Sequence, residues 1–392
     1  MSKLKRVFLF SGLTIGILSG GQAYAEKITF YKSYSYQASD IDSKVSSRAI
    51  AIEQLKRLLL EEVGTYVISE TEVKNYRISK EHITTLTAGI VLTQVLDEKW
   101  DGKIYAIRAK VEIDPGEVSK SIDTLRKDRE KSKELEEAKR RANEALLEID
   151  RLKKKLDSYK TEDVVARYNT AVNKLIAIDW MRSGVALSQA GRYREAVTAF
   201  NNAINFYPYA DFYVLRAYVY NKMKNVQAAL SDADIAIQLD PRAAFAYHER
   251  GHILFGMERY EQAIKDFDIA IQLDPKTIGP YALRGFCYDA AGNYQKAIID
   301  YTVGIELSPH DELLYSSRGT AHFNLGNYEK AINDFNTVIG ISPRDEYAYS
   351  MRGSAYHSLG KQQQAMNDYI TAARLGSKST QEYLTSLEIN WR

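Results

Sequence analysis

His248-Glu249-Arg250-Gly251-His252 spells H-E-x-x-H inside a stretch of helical period. On a helix that spacing puts two imidazoles on one face for a zinc ion, with the glutamate between them as a general base. A catalytic zinc also needs a third protein ligand and a water in a shaped cleft. His310 falls near a segment junction and His322 much further along the chain, so no third ligand is evident. There is no phosphate-cradling glycine loop, no G-x-S-x-G elbow and no Cys/His arrangement, since the single cysteine, Cys287, lies in a helix where a buried apolar role is the default. The expectation is no catalytic residue, no metal and no cofactor, with a metallohydrolase using His248 and His252 as the alternative.

The elements around the pentad explain it. Pro208, Pro241, Pro275, Pro309 and Pro343 recur at intervals of 33, 34, 34 and 34 residues. Twenty-eight positions before each stands an aromatic residue, Trp180, Tyr213, Tyr247, Tyr281 and Tyr315, and Tyr349 begins a sixth copy. Four residues on comes a small one (Gly184, Ala217, Gly251, Gly285, Gly319, Gly353), and twelve further on an alanine (Ala196, Ala229, Ala263, Ala297, Ala331, Ala365). The column after that reads Phe200, Ala233, Phe267, Tyr301, Phe335 and Tyr369. Two antiparallel helices that approach closely at small residues and are braced by large ones require that order. Arg250 and Gly251 of the pentad are therefore dictated by repeat columns. A second pair of columns carries charge: Arg216, Arg250, Arg284, Arg318 and Arg352, each 16 residues before Asp232, Asp266, Asp300, Asp334 and Asp368. The first copy has Ser183 and Ala199 instead, and this joint loss predicts an ion pair bridging helices.

These columns resemble tetratricopeptide repeats (TPRs) over residues 177–379, as six copies (177–209, 210–242, 244–277, 278–311, 312–345, 346–379) and a capping helix within 380–392. Tyr383, Leu384 and Leu387 are expected to cover the last copy. The resemblance implies a mostly α fold, a solenoid of helix pairs whose first helices line a concave face. The positions one, five and eight after each repeat aromatic would point into that groove. They include Tyr218, Asn221, His248, His252, Phe255, Phe286, Asp289, Phe323 and His357, an aromatic and polar surface suited to a protein or peptide segment. The Lys and Asn clamp of chaperone-binding TPRs is missing, its positions holding Met181 and Val185.

The remainder of the chain sets the context. Lys3, Lys5 and Arg6, an apolar run from Val7 to Leu18 and Ala23-Tyr24-Ala25 read as a signal peptide over 1–25 cleaved after Ala25, which implies a periplasmic or secreted protein without stable membrane insertion. A formal charge of only +2 gives no pull toward nucleic acid. Residues 26–115 read as a small α+β domain: an extended segment Ile28 to Tyr36, a helix from Asp40 to Val63 closed by Gly64, a second helix near Ser79 to Ala88, and strands Ile90 to Leu96 and Lys103 to Ile113 around an Asp101-Gly102 turn. The helix face would carry Val45, Ala49, Ile52, Leu55, Leu59 and Val63. Ser47-Arg48-Ala49-Ile50-Ala51, Val63-Gly64-Thr65-Tyr66 and Thr87-Ala88-Gly89-Ile90-Val91 resemble the N-terminal domain of flagellar assembly protein T, which implies an envelope adaptor. Residues 116–165 are charge-rich, and Leu135, Ala138, Ala142, Ala145, Ile149, Leu152, Leu156 and Tyr159 follow a heptad spacing. Two readings of that stripe stand: a homo-oligomer through 135–159, or a single helix packed on the first repeat. The function expected is an exported, non-enzymatic interaction scaffold. A structural oligomeric spacer without a peptide ligand is the other alternative.

Overall fold

The computed structural model describes residues 27–40, 42–70, 90–114, 117–118, 120–121, 129–156, 158 and 161–391. The signal peptide, the helix expected at Ser79 to Ala88 and Tyr159 of the heptad stripe lie outside them. Among the described residues no helix is long and apolar enough to cross a membrane. The chain divides into two compact units, Met1–Pro241 and Arg242–Arg392, the boundary falling between the second and third repeats.

The first unit opens with β1 (Ile28–Gln37), α1 (Lys44–Glu70), β2 (Thr93–Trp100) and β3 (Ile104–Ile113). The sheet order is β1-β3-β2, antiparallel throughout, with Phe30 opposite Val111 and Trp100 opposite Tyr105. Strict alternation along β3 sends Tyr105, Ile107, Ala109, Val111 and Ile113 to the buried face, where α1 covers the sheet with Leu55, Leu59 and Val63. The turn is held by the Asp101 carboxylate, which accepts hydrogen bonds from the backbone N–H groups of Lys103 and Ile104, with Gly102 at φ +95°.

Two expectations for α1 need correction. Gly64 does not end the helix, which runs six residues past it, because a buried glycine in mid-helix costs only about 1 kcal/mol and packing on the sheet outweighs that. Val45 lies in the first turn, beyond the edge of the sheet, and is 58% exposed. The strand expected from Ile90 begins at Thr93, after a turn at Ile90.

Two long helices follow, α2 (Arg129–Leu156) and α3 (Glu162–Gln189), packed together as a hairpin. The heptad stripe of α2 is buried within the chain: Leu135, Ala138, Ala142, Ala145, Ile149, Leu152 and Leu156 are each at most 5% exposed and belong to one core with Val164, Tyr168, Ala171, Leu175 and Ile178 of α3. The surface on which a homo-oligomer through this stripe would rest is thus already covered, because three alanines let α3 approach closely. Asp42, its side chain fully buried, joins the parts. It accepts hydrogen bonds from Ser39, Tyr36 and Tyr168 and pairs with Lys153 at 2.9 Å, linking β1, the start of α1, α2 and α3.

The repeats are helix pairs. The first comprises α3 and α4 (Tyr193–Phe206), the second α5 (Ala210–Lys222) and α6 (Val226–Leu239). The second unit holds the other four: α7 (Ala244–Gly256) with α8 (Tyr260–Leu273), α9 (Ile278–Ala290) with α10 (Tyr294–Leu307), α11 (Glu312–Asn324) with α12 (Tyr328–Ile341), and α13 (Glu346–Ser358) with α14 (Gln362–Leu375). The last element is α15 (Lys378–Ser386). Within a pair, the aromatic ring of the second helix lies over the small residue of the first. A Cβ on Gly285 would stand 2.5 Å from the Tyr301 ring, and one on Gly184 2.7 Å from Phe200. The second repeat replaces both members, with fully buried Ala217 and Ala233, so volume is exchanged across the contact.

Every arginine of the charged column makes a two-point ion pair with its aspartate through Nε and Nη2, at 2.6–2.9 Å, as in Arg284 with Asp300. The aspartates are nearly buried, and the guanidinium also lies 5.3–5.8 Å from the ring of its own repeat's tyrosine. A third bond from Nη1 reaches the second helix of the preceding repeat: Arg216 to Asn201, Arg284 to Asp268, Arg318 to Thr302 and Arg352 to Asn336. The clamp therefore spans three helices. Of the three residues expected to cap the last repeat only Leu384 is buried; Tyr383 and, at the C-cap, Leu387 are 40% and 47% exposed, because a nine-residue helix presents just one full face to its neighbour.

Candidate functional site

The catalytic reading of the H-E-x-x-H pentad meets its geometry on α7. The His248 and His252 rings are stacked with centroids 6.5 Å apart, and His248 rests against the backbone of Gly279. Glu249 is 2% exposed, with Oε1 buried and unpartnered and Oε2 3.9 Å from His252 Nδ1. Among the described residues no group of three His, Cys, Asp or Glu side chains is arranged to hold a metal. Burial pushes the Cys287 thiol up to about 12, so it stays protonated and unreactive at neutral pH.

The groove positions of the second unit are half-buried, apart from exposed His357. Phe255 of α7 and Phe286 of α9 face each other at 6.5 Å, with Tyr260 5.8 Å from Phe255 and Tyr301 5.6 Å from Phe286. Asp289 closes this cluster: its Oδ2 accepts the Tyr301 hydroxyl at 2.7 Å, and its Oδ1 is buried without a partner. Burial raises the Asp289 carboxyl above the ordinary carboxylate range, only partly offset by that hydrogen bond. Phe323 stands apart, packed on Tyr328 at 5.4 Å, so two aromatic patches rather than one line the face.

In the first unit the same positions have another fate. Met181, Val185 and Ser188, one, five and eight after Trp180, line a small cavity together with Tyr218 and with Leu135 of α2. Met181 and Val185 are 4% and 6% exposed. The chain's own amphipathic helix occupies the groove positions of its first repeat. Tyr218 also lies under the Lys222 ammonium at 5.2 Å, and Asn221 is half-buried beside it.

Residues missed in the sequence sit where columns break. Asp179 stands where the other repeats carry Phe212, Ala246, Pro280, Leu314 and Ala348, and Arg182 where they carry Leu215, Glu249, Leu283, Ser317 and Met351. Asp179 pairs with Lys56 of α1, and Arg182 Nη1 donates to both oxygens of Glu53 at 2.8 and 2.9 Å. For Asp179 a charged residue in an apolar column was the available signal; the Arg182 column is mixed and gave none.

Helix pairs stacked on small residues, with ion-pair clamps and a face of half-buried aromatic and polar side chains, define the class of repeat scaffolds that act through protein contacts. The family follows from comparison. Tetratricopeptide repeat families match residues 181–244, 244–277, 321–360 and 346–375, and the chain is a TPR protein. No curated protein matches it. Among solved structures, pilF of Pseudomonas aeruginosa is 17% identical with a TM-score of 0.50, covering 55% of this chain and 99% of its own, a likeness of fold. YrrB, described as a TPR protein with an unusual peptide-binding site, is 22% identical with a TM-score of 0.44 over 46% of this chain and 94% of its own.

Proposed function

We propose that this TPR protein is an exported scaffold whose second unit holds an apolar-faced helical segment of a partner protein on Phe255, Phe286 and Asp289. The observation that carries the reading is Leu135: an amphipathic helix of this chain already lies on the equivalent positions of the first repeat. Helix-in-groove recognition uses anchors at helical spacing against such a surface. Export rests on the signal-like N-terminus, and the adaptor role of the α+β domain on its resemblance to the N-terminal domain of flagellar assembly protein T.

Selection from a displayed peptide library on the immobilised chain tests the groove. Enriched sequences should carry apolar residues at i, i+3/i+4 and i+7 and lose binding about tenfold or more with Phe255→Ala/Phe286→Ala. Ile299→Ser, at a 62% exposed site on a second helix, should leave it unchanged. Equal recovery by all three proteins would refute the groove. N-terminal sequencing of the exported protein should begin at Glu26.

A further inference from the structure

A second pocket lies in the first unit, between α1, the start of β2, α2 and α3, with a cavity of about 80 Å³ that opens to solvent and has room only for a small ligand. Leu60, Val91, Leu92 and Leu135 form an apolar wall, and Glu53, Lys56, Arg57, Lys139 and Arg182 line the rest, with Lys56 paired to Asp179 and Arg57 to Glu61 at 3.8 Å. Arg182 is the informative residue. Its side chain is 13% exposed, Glu53 takes Nη1 alone, and among the described residues Nε and Nη2 have no partner. In the repeat clamps that same Nε–Nη2 edge binds a carboxylate at two points. Here the edge is left open at a cavity, next to an apolar wall.

We propose that this pocket binds a carboxylate carried on a short aliphatic body, the anion on the open edge of Arg182 and the chain against Leu60, Val91 and Leu92. A guanidinium meets a carboxylate in a planar two-point contact, which the point charge of a lysine does not offer. Such a group comes from a free short-chain acid or from the C-terminal carboxylate of a peptide ending in an aliphatic residue. The site is independent of the groove in the second unit, so failure of either leaves the other standing.

Titration calorimetry on the full mature chain provides the test, with hexanoate, N-acetyl-Gly-Leu bearing a free carboxylate, and the same dipeptide as its carboxamide. Saturable binding of hexanoate, of the free-carboxylate dipeptide or of both supports the site, and which one binds identifies the source. The carboxamide should not bind. Arg182→Gln should weaken binding at least about tenfold, or about 1.4 kcal/mol. Because that change also strands Glu53, Asn143→Trp serves as a second variant: it fills the mouth from an exposed position on α2 and should abolish binding with an unchanged melting temperature. No saturable heat from either carboxylate, equal binding of the carboxamide, or wild-type binding by Asn143→Trp would overturn the proposal.

Discussion

The first and fourth repeats share a backbone plan and spend their charges differently. In the fourth, Arg284 clamps Asp300 of its own second helix and Asp268 of the preceding one. In the first, the clamp positions are Ser183 and Ala199, and the ion pairs run instead from Asp179 and Arg182 to α1. The groove positions diverge likewise: Met181 and Val185 are buried beside Leu135 of α2, whereas Phe286 and Asp289 are half-buried. An interior repeat meets neighbours of its own kind, and its charges serve the stack. The first repeat meets an α+β domain and a long helix, and its charges and groove are turned to them.

The sharpest way to break the comparison is to remove one hub from each region. Arg284→Ala strands two aspartates, one of them 2% exposed, and should cost the second unit about 3–5 kcal/mol in urea unfolding; Asp42→Ala should cost the first unit a similar amount by stranding Lys153. Values below about 1 kcal/mol would mean that neither cluster organises its region. Gly285→Ala pushes a methyl into the Tyr301 ring and should cost about 1–3 kcal/mol, with strong non-additivity when combined with Tyr301→Ala, the arrangement the second repeat already uses. Additive losses would show that ring and glycine do not share one contact.

Asp289 gives a pH-dependent test. Its folded-state carboxyl is raised by burial, so the folded protein keeps the proton to higher pH than the unfolded chain. Stability therefore falls as pH rises from the ordinary carboxylate range through the raised value. Asp289→Asn should gain up to about 1 kcal/mol at pH 7, gain nothing at low pH, and weaken groove binding. A gain that persists at low pH would locate the effect elsewhere. The smallest change concerns the loops: Glu258 holds φ +61° where the fourth repeat has Gly292 at +71°, and Glu258→Gly should stabilise by about 0.5–1 kcal/mol on thermal unfolding.

Much of this was legible in the residues. Column spacing located the helix pairs because packing of two close helices demands small residues at fixed places, and the paired gain and loss of Arg and Asp pointed to the clamps. The third arm of each clamp was hidden, since its acceptors are Asn201, Asp268, Thr302 and Asn336, a column without a constant type. The Asp289–Tyr301 bond was hidden because only Tyr301 belongs to a constant column, its counterparts Phe200, Phe267 and Phe335 having no hydroxyl to donate.

By itself the sequence determined the repeat period, the helix order, the buried face of β3 and the chemistry of the clamp pairs, all consequences of local periodicity and residue size. Tertiary structure alone decided which partner each unpaired surface received. A heptad stripe specifies that something apolar must cover it, and only the folded chain shows that α3 does. Asp42, by sequence an ordinary acid at the start of an expected helix, became a fully buried hub because segments distant along the chain converge on it. Burial, and hence the energy of every charge discussed above, is a property of that convergence.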